Sequence, residues 1–238
     1  MDRELPVGGH LAELRKRVLI SLAFFVLAAG VSFNYSPLLL GFLKRPLSGI
    51  VDKLVFFSPQ EAFSIYLNIS FTFGLLLSLP VLLYEIWRFV EPATGDKLRK
   101  RAFIFVGGVF IAFVSGAAFA YFILVPPALK FLLGFAGTEL QPVISAQKYI
   151  SFVVWTALAT GLVFEMPVLS YILTRLGMLN SSVLRRKYRY AVAGILITAA
   201  MLTTTSDIFN LLLFAVPMLV LYELSIWVSK FAAAGSPA

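Results

Sequence analysis

The stretch "WTALATGLVFEMPVLSYIL" (residues 155–173) is uncharged along its whole length except for one ionisable residue, Glu165. As an α-helix it would reach about 29 Å, close to the ~30 Å hydrocarbon core of a bilayer. An acidic side chain inside such a segment costs about 2.5–3.5 kcal/mol on insertion scales. The stretch therefore predicts a membrane-spanning helix. Its carboxylate indicates a polar groove that receives a ligand, a proton relay, or a neutral glutamate hydrogen-bonded to a neighbouring helix.

Apolar segments of similar length recur along the chain, which has 238 residues, 60% of them hydrophobic and only 13% charged. We predict an all-α, polytopic membrane protein that forms a single transmembrane domain over residues 1–238. The six expected transmembrane helices cover residues 18–35, 64–90, 102–124, 149–173, 190–205 and 208–229. Residues 36–63 and 125–148 mix apolar runs with prolines, so we expect them to form a structured external cap of short helices.

The fifth and sixth helices are expected to be short. Residues 190–205 would span about 24 Å as a helix, which is less than an ordinary hydrocarbon core. Positive charge sets the orientation, because fifteen of the 20 lysines and arginines fall on one side of the six spans. Basic residues concentrate in cytoplasmic loops. Both termini are therefore predicted to be cytoplasmic.

Several kinds of chemistry are excluded by what the sequence lacks. The chain has no cysteine and a single histidine, His10, so neither a thiol nucleophile nor a His-based metal cluster is expected. It contains no G-x-x-x-x-G-K-[ST] phosphate loop and no H-E-x-x-H motif. We expect no catalysis, no cofactor and no metal. The net charge of +8 is interpreted as loop charge rather than as a nucleic-acid surface.

Acidic residues stand out among the basic ones at the cytoplasmic ends of the spans. "HLAELRKR" (residues 10–17) places Glu13 and Arg17 four residues apart, where they can pair on one helical face. A carboxylate here either binds a cationic ligand in bidentate fashion or belongs to a solvated helix start. The segment "LPVLLYEIWRFVEPATGDKLRKR" (residues 79–101) adds Glu85, Glu91 and Asp96. Together with Glu13 these side chains predict an acidic spot at the cytoplasmic surface.

Several of these stretches together resemble the TatC family, the multi-spanning core subunit of the twin-arginine protein translocase. The matching pieces are "HLAELRKR", "LPVLLYEIWRFVEP", "GAAFAYF" and "FEMPV", followed by Asp207, Pro217 and the "LYE" that ends in Glu223. They occur in the family's order and cover nearly the whole chain.

The resemblance implies a receptor in the cytoplasmic (inner) membrane of a prokaryote. Such a receptor binds the twin-arginine signal peptides of folded proteins and recruits TatA- and TatB-type single-span subunits. It self-associates in a complex within the lipid bilayer and uses the protonmotive force. By the same resemblance Glu13, Arg17, Phe89 and Asp96 bind the signal peptide, and Glu165 faces a groove in the membrane. Structural or partner contacts are implied for Pro46, Asp207, Pro217 and Glu223.

The chain departs from the family in two places. Leu98 stands where the family has a glutamate that contacts the signal arginines, so either Asp96 or Glu91 substitutes for it or signal binding is weaker. Before the last span, Thr205 and Ser206 replace two prolines and Leu211 replaces a glutamine. These differences arise from natural divergence or from engineered substitutions. The alternative function is a small proton-coupled secondary transporter that uses Glu165, although a carrier would need further ionisable residues facing it.

Overall fold

The computed structural model describes residues 7–48, 54–94, 102–134, 143–203 and 207–234. The chain divides into two compact units. One comprises Met1–Phe42 and Pro59–Phe110, and the other comprises Leu43–Ser58 and Ile111–Ala238. In the described ranges both units are helical, apart from turns and an isolated β-bridge between Val55 and Ser145.

Ten α-helices make up the described part of the chain, with one 3-10 turn and one π-helical turn between them. They are α1 Val7–Asn34, α2 Ser36–Leu43, the 3-10 turn Arg45–Leu47, α3 Pro59–Thr94, α4 Ala102–Phe119, the π-helical turn Ala120–Leu124, α5 Val125–Gly134, α6 Ala146–Phe164, α7 Met166–Arg175, α8 Ser181–Arg186, α9 Tyr188–Leu202 and α10 Ile208–Ala234.

The spans follow the predicted order. Within the described residues, five helical stretches are long and apolar enough to cross a membrane: Ala12–Asn34, Pro59–Phe89, Val106–Gly134, Ala146–Arg175 and Ile208–Ala233. A further apolar helix, α9, has 15 residues, or about 22 Å. This pattern confirms the predicted all-α, six-span fold and the short fifth helix.

The expectation that the sixth helix is also short is wrong. Helix α10 has 27 residues and continues through Pro217 to Ala234. Its start is fixed by Asp207, whose Oδ1 accepts a hydrogen bond from the backbone N–H of Asn210 at 2.7 Å, the usual geometry of an N-cap. Its last turns are held by packing, because Ser229 and Ala232 are buried.

The third span is also longer than predicted. Helix α4 passes through the π-helical turn directly into α5, so residues 125–134 extend the span rather than forming a separate helix. The backbone N–H of Val125 bonds to the carbonyl of Ala120, five residues back. Pro126 and Pro127 have no N–H to donate. The wider turn just before them lets the helix continue from α4 into α5.

In the first unit, α1 and α3 pack against each other in antiparallel fashion. A Cβ atom built on Gly74 would lie 2.7 Å from the Cα of Ala29, so the two backbones meet where glycine leaves room. One turn away, the rings of Phe25 and Phe71 lie 6.1 Å apart. Small residues permit such close helix contacts in membranes.

The second unit has a hydrophobic core of its own, built from α6, α9, α10 and the π-helical turn. Its buried members are Ala120, Leu124, Val163, Ile195, Ala199, Phe214, Ala215, Met218, Tyr222 and Ile226. Beside it, α4 and α6 come close at Gly116 and Gly161, and the rings of Phe119 and Phe164 lie 5.4 Å apart. This packing positions the central residues of the fourth span.

The segments predicted to form a cap are joined by hydrogen bonds within the second unit. The N–H of Val55 donates to the carbonyl of Ile144 at 3.1 Å, and the N–H of Ala146 donates to the carbonyl of Val55 at 2.8 Å. The hydroxyl of Tyr149 donates to the carbonyl of Leu43 at 2.7 Å. A structured cap is therefore present at this end of the unit.

The close approach of α1 and α3 generates a stability prediction. Gly74→Ala should lower the free energy of unfolding by about 1–3 kcal/mol, because the new methyl group meets the backbone of Ala29 rather than a flexible side chain. Reversible unfolding in mixed micelles measures this. Gly30→Ala on α1 is the matched control, since a Cβ there meets nothing within 4 Å. Equal stability of the two variants would contradict the proposed contact.

Candidate functional site

An ion cluster of three residues joins α1 and α3. It lies near the start of α1 and in the later part of α3. Arg17, on α1, lies between Glu13 on the same helix and Glu85 on α3. Its Nε donates to Oε1 of Glu13 at 3.2 Å, and its terminal Nη2 also contacts that oxygen. Its Nη1 donates to Oε2 of Glu85 at 3.1 Å. One guanidinium thus serves two carboxylates.

The two carboxylates differ in how accessible they are. The side chain of Glu13 is 27% exposed, whereas those of Arg17 and Glu85 are 13% and 10% exposed. Truncating one member of a buried pair leaves its partner charged and unsatisfied, which is costly. Glu13 is therefore the carboxylate that an incoming cation can reach with the least disturbance.

A cavity of about 390 Å³ opens beside this cluster. It is lined by Ala12, Glu13, Lys16, Arg17, Ile20, Glu85 and Arg88. Lys16 and Arg88 are exposed, so their charges lie at the rim, while the less exposed carboxylates lie deeper. We call this space the polar cavity.

An apolar groove of about 450 Å³ runs along the same two helices. It is lined by Leu14, Arg17, Val18, Ser21, Leu22, Phe25, Leu75, Leu82, Glu85, Ile86 and Phe89. Arg17 and Glu85 line both the groove and the polar cavity, so the two spaces adjoin at the ion cluster. From Leu14 to Phe25 the groove is about 16 Å long, measured along α1.

This arrangement suits a ligand that has cationic and apolar parts in sequence. Carboxylates bind guanidinium groups with short, charge-assisted hydrogen bonds, and Arg–carboxylate pairs are frequently bidentate. An apolar segment adjoining those cations would find a hydrophobic surface along the groove, where burial is worth roughly 25 cal/mol per Å². The chemistry of the site is that of binding.

Of the predicted signal-peptide residues, the structure brings three to this place. Glu13 and Arg17 belong to the ion cluster, and Phe89 lines the apolar groove one helical turn beyond Glu85. Asp96 and Leu98 lie outside the described residues. The choice between Asp96 and Glu91 as a substitute acid therefore stays a prediction.

The sequence placed Glu85 in the predicted acidic spot with Glu13, but it did not predict the bond between Glu85 and Arg17. The sequence showed it as one of several acids near the end of the second span, with nothing to set it apart from Glu91 or Asp96. Its distinction is tertiary, because α3 packs closely on α1 and turns this carboxylate toward Arg17. The helical spacing of four between Glu85 and Phe89 was the available signal that both face the same way.

Glu165 lies at a break in the fourth span. Helix α6 ends at Phe164 and α7 begins at Met166, and the N–H of Glu165 bonds to the carbonyl of Leu162, only three residues back. Pro167 has no N–H for the carbonyl of Val163, which explains the interruption.

The carboxyl group of Glu165 is buried. The residue is 5% exposed, and the backbone of Phe113 approaches the group. Neither oxygen completes a hydrogen bond of ordinary geometry with the part of the chain that the structure describes. The interpretation of a glutamate bonded to a neighbouring helix stays a prediction, with the backbone of Phe113 on α4 as the nearby polar group. The groove and relay interpretations remain predictions.

A cavity of about 390 Å³ lies near the break, against α6, α9 and α10 of the second unit. It is lined by Leu162, Val163, Met166, Ala191, Gly194, Ile195, Thr198, Met218 and Tyr222. Glu165 itself does not line it. Small residues dominate its α9 side, where Gly194 and Thr198 are exposed.

The residues predicted as structural or partner contacts all lie in the second unit. Pro46 lies in the 3-10 turn Arg45–Leu47. Asp207 caps α10, a position where replacement by alanine typically costs about 1 kcal/mol. Pro217 lies inside α10 without ending it. An oxygen of Glu223 pairs with Arg185 of α8 at 2.9 Å.

Leu211, which replaces the family's polar residue, packs against the hydrophobic core of the second unit. An apolar side chain is therefore well accommodated at this position. Among the residues that the structure describes, no three His, Asp or Glu side chains come close enough together to hold a metal ion.

Comparison with known proteins gives consistent matches over most of the chain. The family model of the Sec-independent protein translocase protein (TatC) matches residues 9–217. The protein of that name from Carboxydothermus hydrogenoformans is 37% identical over 230 residues, which are 97% of this chain and 95% of the relative. The one from Aquifex aeolicus is 38% identical over 233 residues, covering 96% of each.

A solved structure is similar as well. The crystal structure of a protein described as the twin arginine translocase receptor TatC superposes with a TM-score of 0.83 at 36% identity. The match covers 94% of this chain and 99% of that one. At this identity the likeness extends beyond the fold.

Proposed function

The chain belongs to the TatC family of Sec-independent protein translocase proteins, and from this membership we propose that it is the receptor for twin-arginine signal peptides. It is a multi-pass membrane protein and a core subunit of the twin-arginine translocase, not an enzyme. The alternative of a proton-coupled carrier is set aside by the family. What remains to be proposed is where the signal peptide binds, what else assembles and which way the chain is oriented.

The signal peptide binds where the polar cavity meets the apolar groove. The observation that supports this is that Arg17 and Glu85 line both spaces. A signal peptide carries positive residues followed by an apolar run of 7–15 residues, which matches a polar cavity followed by a groove about 16 Å long. Glu13, the more exposed carboxylate, takes a guanidinium of the arginine pair, and Phe89 contacts the apolar run.

Asp96 is proposed as a further acid for the arginine pair, since Leu98 cannot supply the charge that the family has there. Arginine is preferred over lysine because its planar guanidinium can bond a carboxylate with two parallel N–H groups. Export by this complex draws on the protonmotive force, as the resemblance implies.

The proposed binding can be tested with two peptides. Purified protein in detergent should bind a labelled peptide with two arginines and an apolar stretch more tightly than its Lys–Lys version. Glu13→Gln should lower the affinity for the Arg–Arg peptide by about tenfold, since a hydrogen bond to a charged group is worth about 1.5–3 kcal/mol. Fluorescence anisotropy measures both affinities.

Glu61→Gln, the same change at the far end of α3, is the matched control and should bind the Arg–Arg peptide as the parent does. Equal affinity for the two peptides, together with no effect of Glu13→Gln, would remove the chemical basis of the receptor proposal.

Single-span TatA- and TatB-type subunits are proposed to bind along α9 in the second unit. The support is the cavity whose α9 side carries Ala191, Gly194 and Thr198. Small side chains let a second helix approach closely in a membrane. This surface of the short helix α9 lies beside the core of the second unit. Further copies of the chain are proposed to assemble with these subunits in one complex.

The proposed partner surface on α9 can be tested by filling it. Gly194→Leu should reduce co-purification of a TatB-type subunit by about threefold or more, because the side chain fills a small-residue contact. Gly107→Leu is the control, since a Cβ at Gly107 also meets nothing within 4 Å. An unchanged yield of the partner with Gly194→Leu would place the contact elsewhere.

The predicted orientation places α8 in the cytoplasm and the cap outside. Because the chain has no cysteine, single cysteines can be introduced without a background. A membrane-impermeant maleimide added to intact spheroplasts should label Ser48→Cys but not Ser182→Cys, and both should react after lysis. Both serines are exposed. The reverse labelling pattern would invert the proposed topology.

A further inference from the structure

Two carboxylates of the ion cluster share the guanidinium of Arg17. Glu13 and Glu85 both bond to Arg17 through charge-assisted hydrogen bonds. The remaining cations around the polar cavity, Lys16 and Arg88, are exposed at its rim. In the cluster itself, Arg17 already occupies Glu13, the carboxylate proposed to receive a signal arginine. Binding of the signal therefore requires an exchange of ion-pair partners.

The two ends of that exchange are unequal. Glu13 is reached from solvent, and its bond to Arg17 links residues four apart on one helix. Glu85 is buried among α1 and α3 and bonds to Arg17 across the helix pair. When a guanidinium takes Glu13, Arg17 would become a nearly buried, unpaired cation unless Glu85 kept it. Leaving a buried charge unpaired is strongly unfavourable.

We propose that Glu85 is a positioning residue that retains Arg17 while a signal arginine replaces it on Glu13, so that Glu85 governs signal affinity without contacting the signal. This inference rests on the proposed function of the same site. It gives the two carboxylates separate tasks, one for the ligand and one for the internal cation. It also explains why an acid, rather than a neutral polar group, lies at the seam of cavity and groove.

The test is a pair of variants in the full-length protein, read by anisotropy with the Arg–Arg peptide. Glu85→Gln should weaken binding by about tenfold, because Arg17 then competes for Glu13 without a second carboxylate to hold it. Adding Arg17→Gln to Glu85→Gln should return the affinity to within about threefold of the parent, since Arg17 then no longer competes with the peptide for Glu13. A purely structural role for Glu85 would not give this rescue.

Glu85→Asp keeps the charge, and its affinity for the Arg–Arg peptide should stay within about threefold of the parent's. Glu61→Gln on the same helix should bind this peptide as the parent does. The proposal is overturned if Glu85→Gln binds as tightly as the parent. It is also overturned if the double variant binds as weakly as Glu85→Gln, because Glu85 would then contact the peptide itself. A parent protein that fails to prefer Arg–Arg over Lys–Lys refutes the receptor proposal instead.

Discussion

The pairing of Arg17 with Glu13 and Glu85 is the interaction on which the proposed site depends. Charges near the edge of a membrane are tolerated when they are paired or solvated, and here one guanidinium bonds to acids from two helices. The pairing requires α1 and α3 to lie close together, and the contact between Gly74 and Ala29 allows that. A backbone contact deep in the helix pair and a polar cluster at its end are therefore parts of one arrangement.

The same helix pair explains why a polar and an apolar space adjoin. A hydrophobic groove lies along α1 and α3, and Arg17 and Glu85 of the ion cluster are among the residues that line it. A ligand that changes from cationic to apolar along its length meets matching surfaces in the same order. Binding by such a seam needs no catalytic group, no cofactor and no nucleotide, which agrees with the family to which the chain belongs.

The second unit solves a different problem, that of an acid within an apolar span. Pro167 has no N–H to donate to the carbonyl of Val163, and the helix is interrupted at Glu165. The carboxyl group of Glu165 is buried beside the backbone of Phe113. Around it, small residues at Gly116 and Gly161 let α4 and α6 approach each other. The unusual residue thus coincides with unusual backbone geometry, and both follow from local sequence.

The sequence by itself determined the fold class, the number and order of the spans and the short fifth helix, because hydrocarbon thickness imposes a length on every apolar run. It also singled out Glu13 and Arg17, whose spacing of four lets them pair on one helical face, while Phe89 was implied by the resemblance to the family. Only the tertiary structure decided that Glu85 joins Arg17, because a contact between side chains of two helices depends on how the helices pack. The length of the third span was likewise decided by a π-helical turn. That of the sixth was decided by an N-cap and by buried residues near its end. Hydropathy does not register these features.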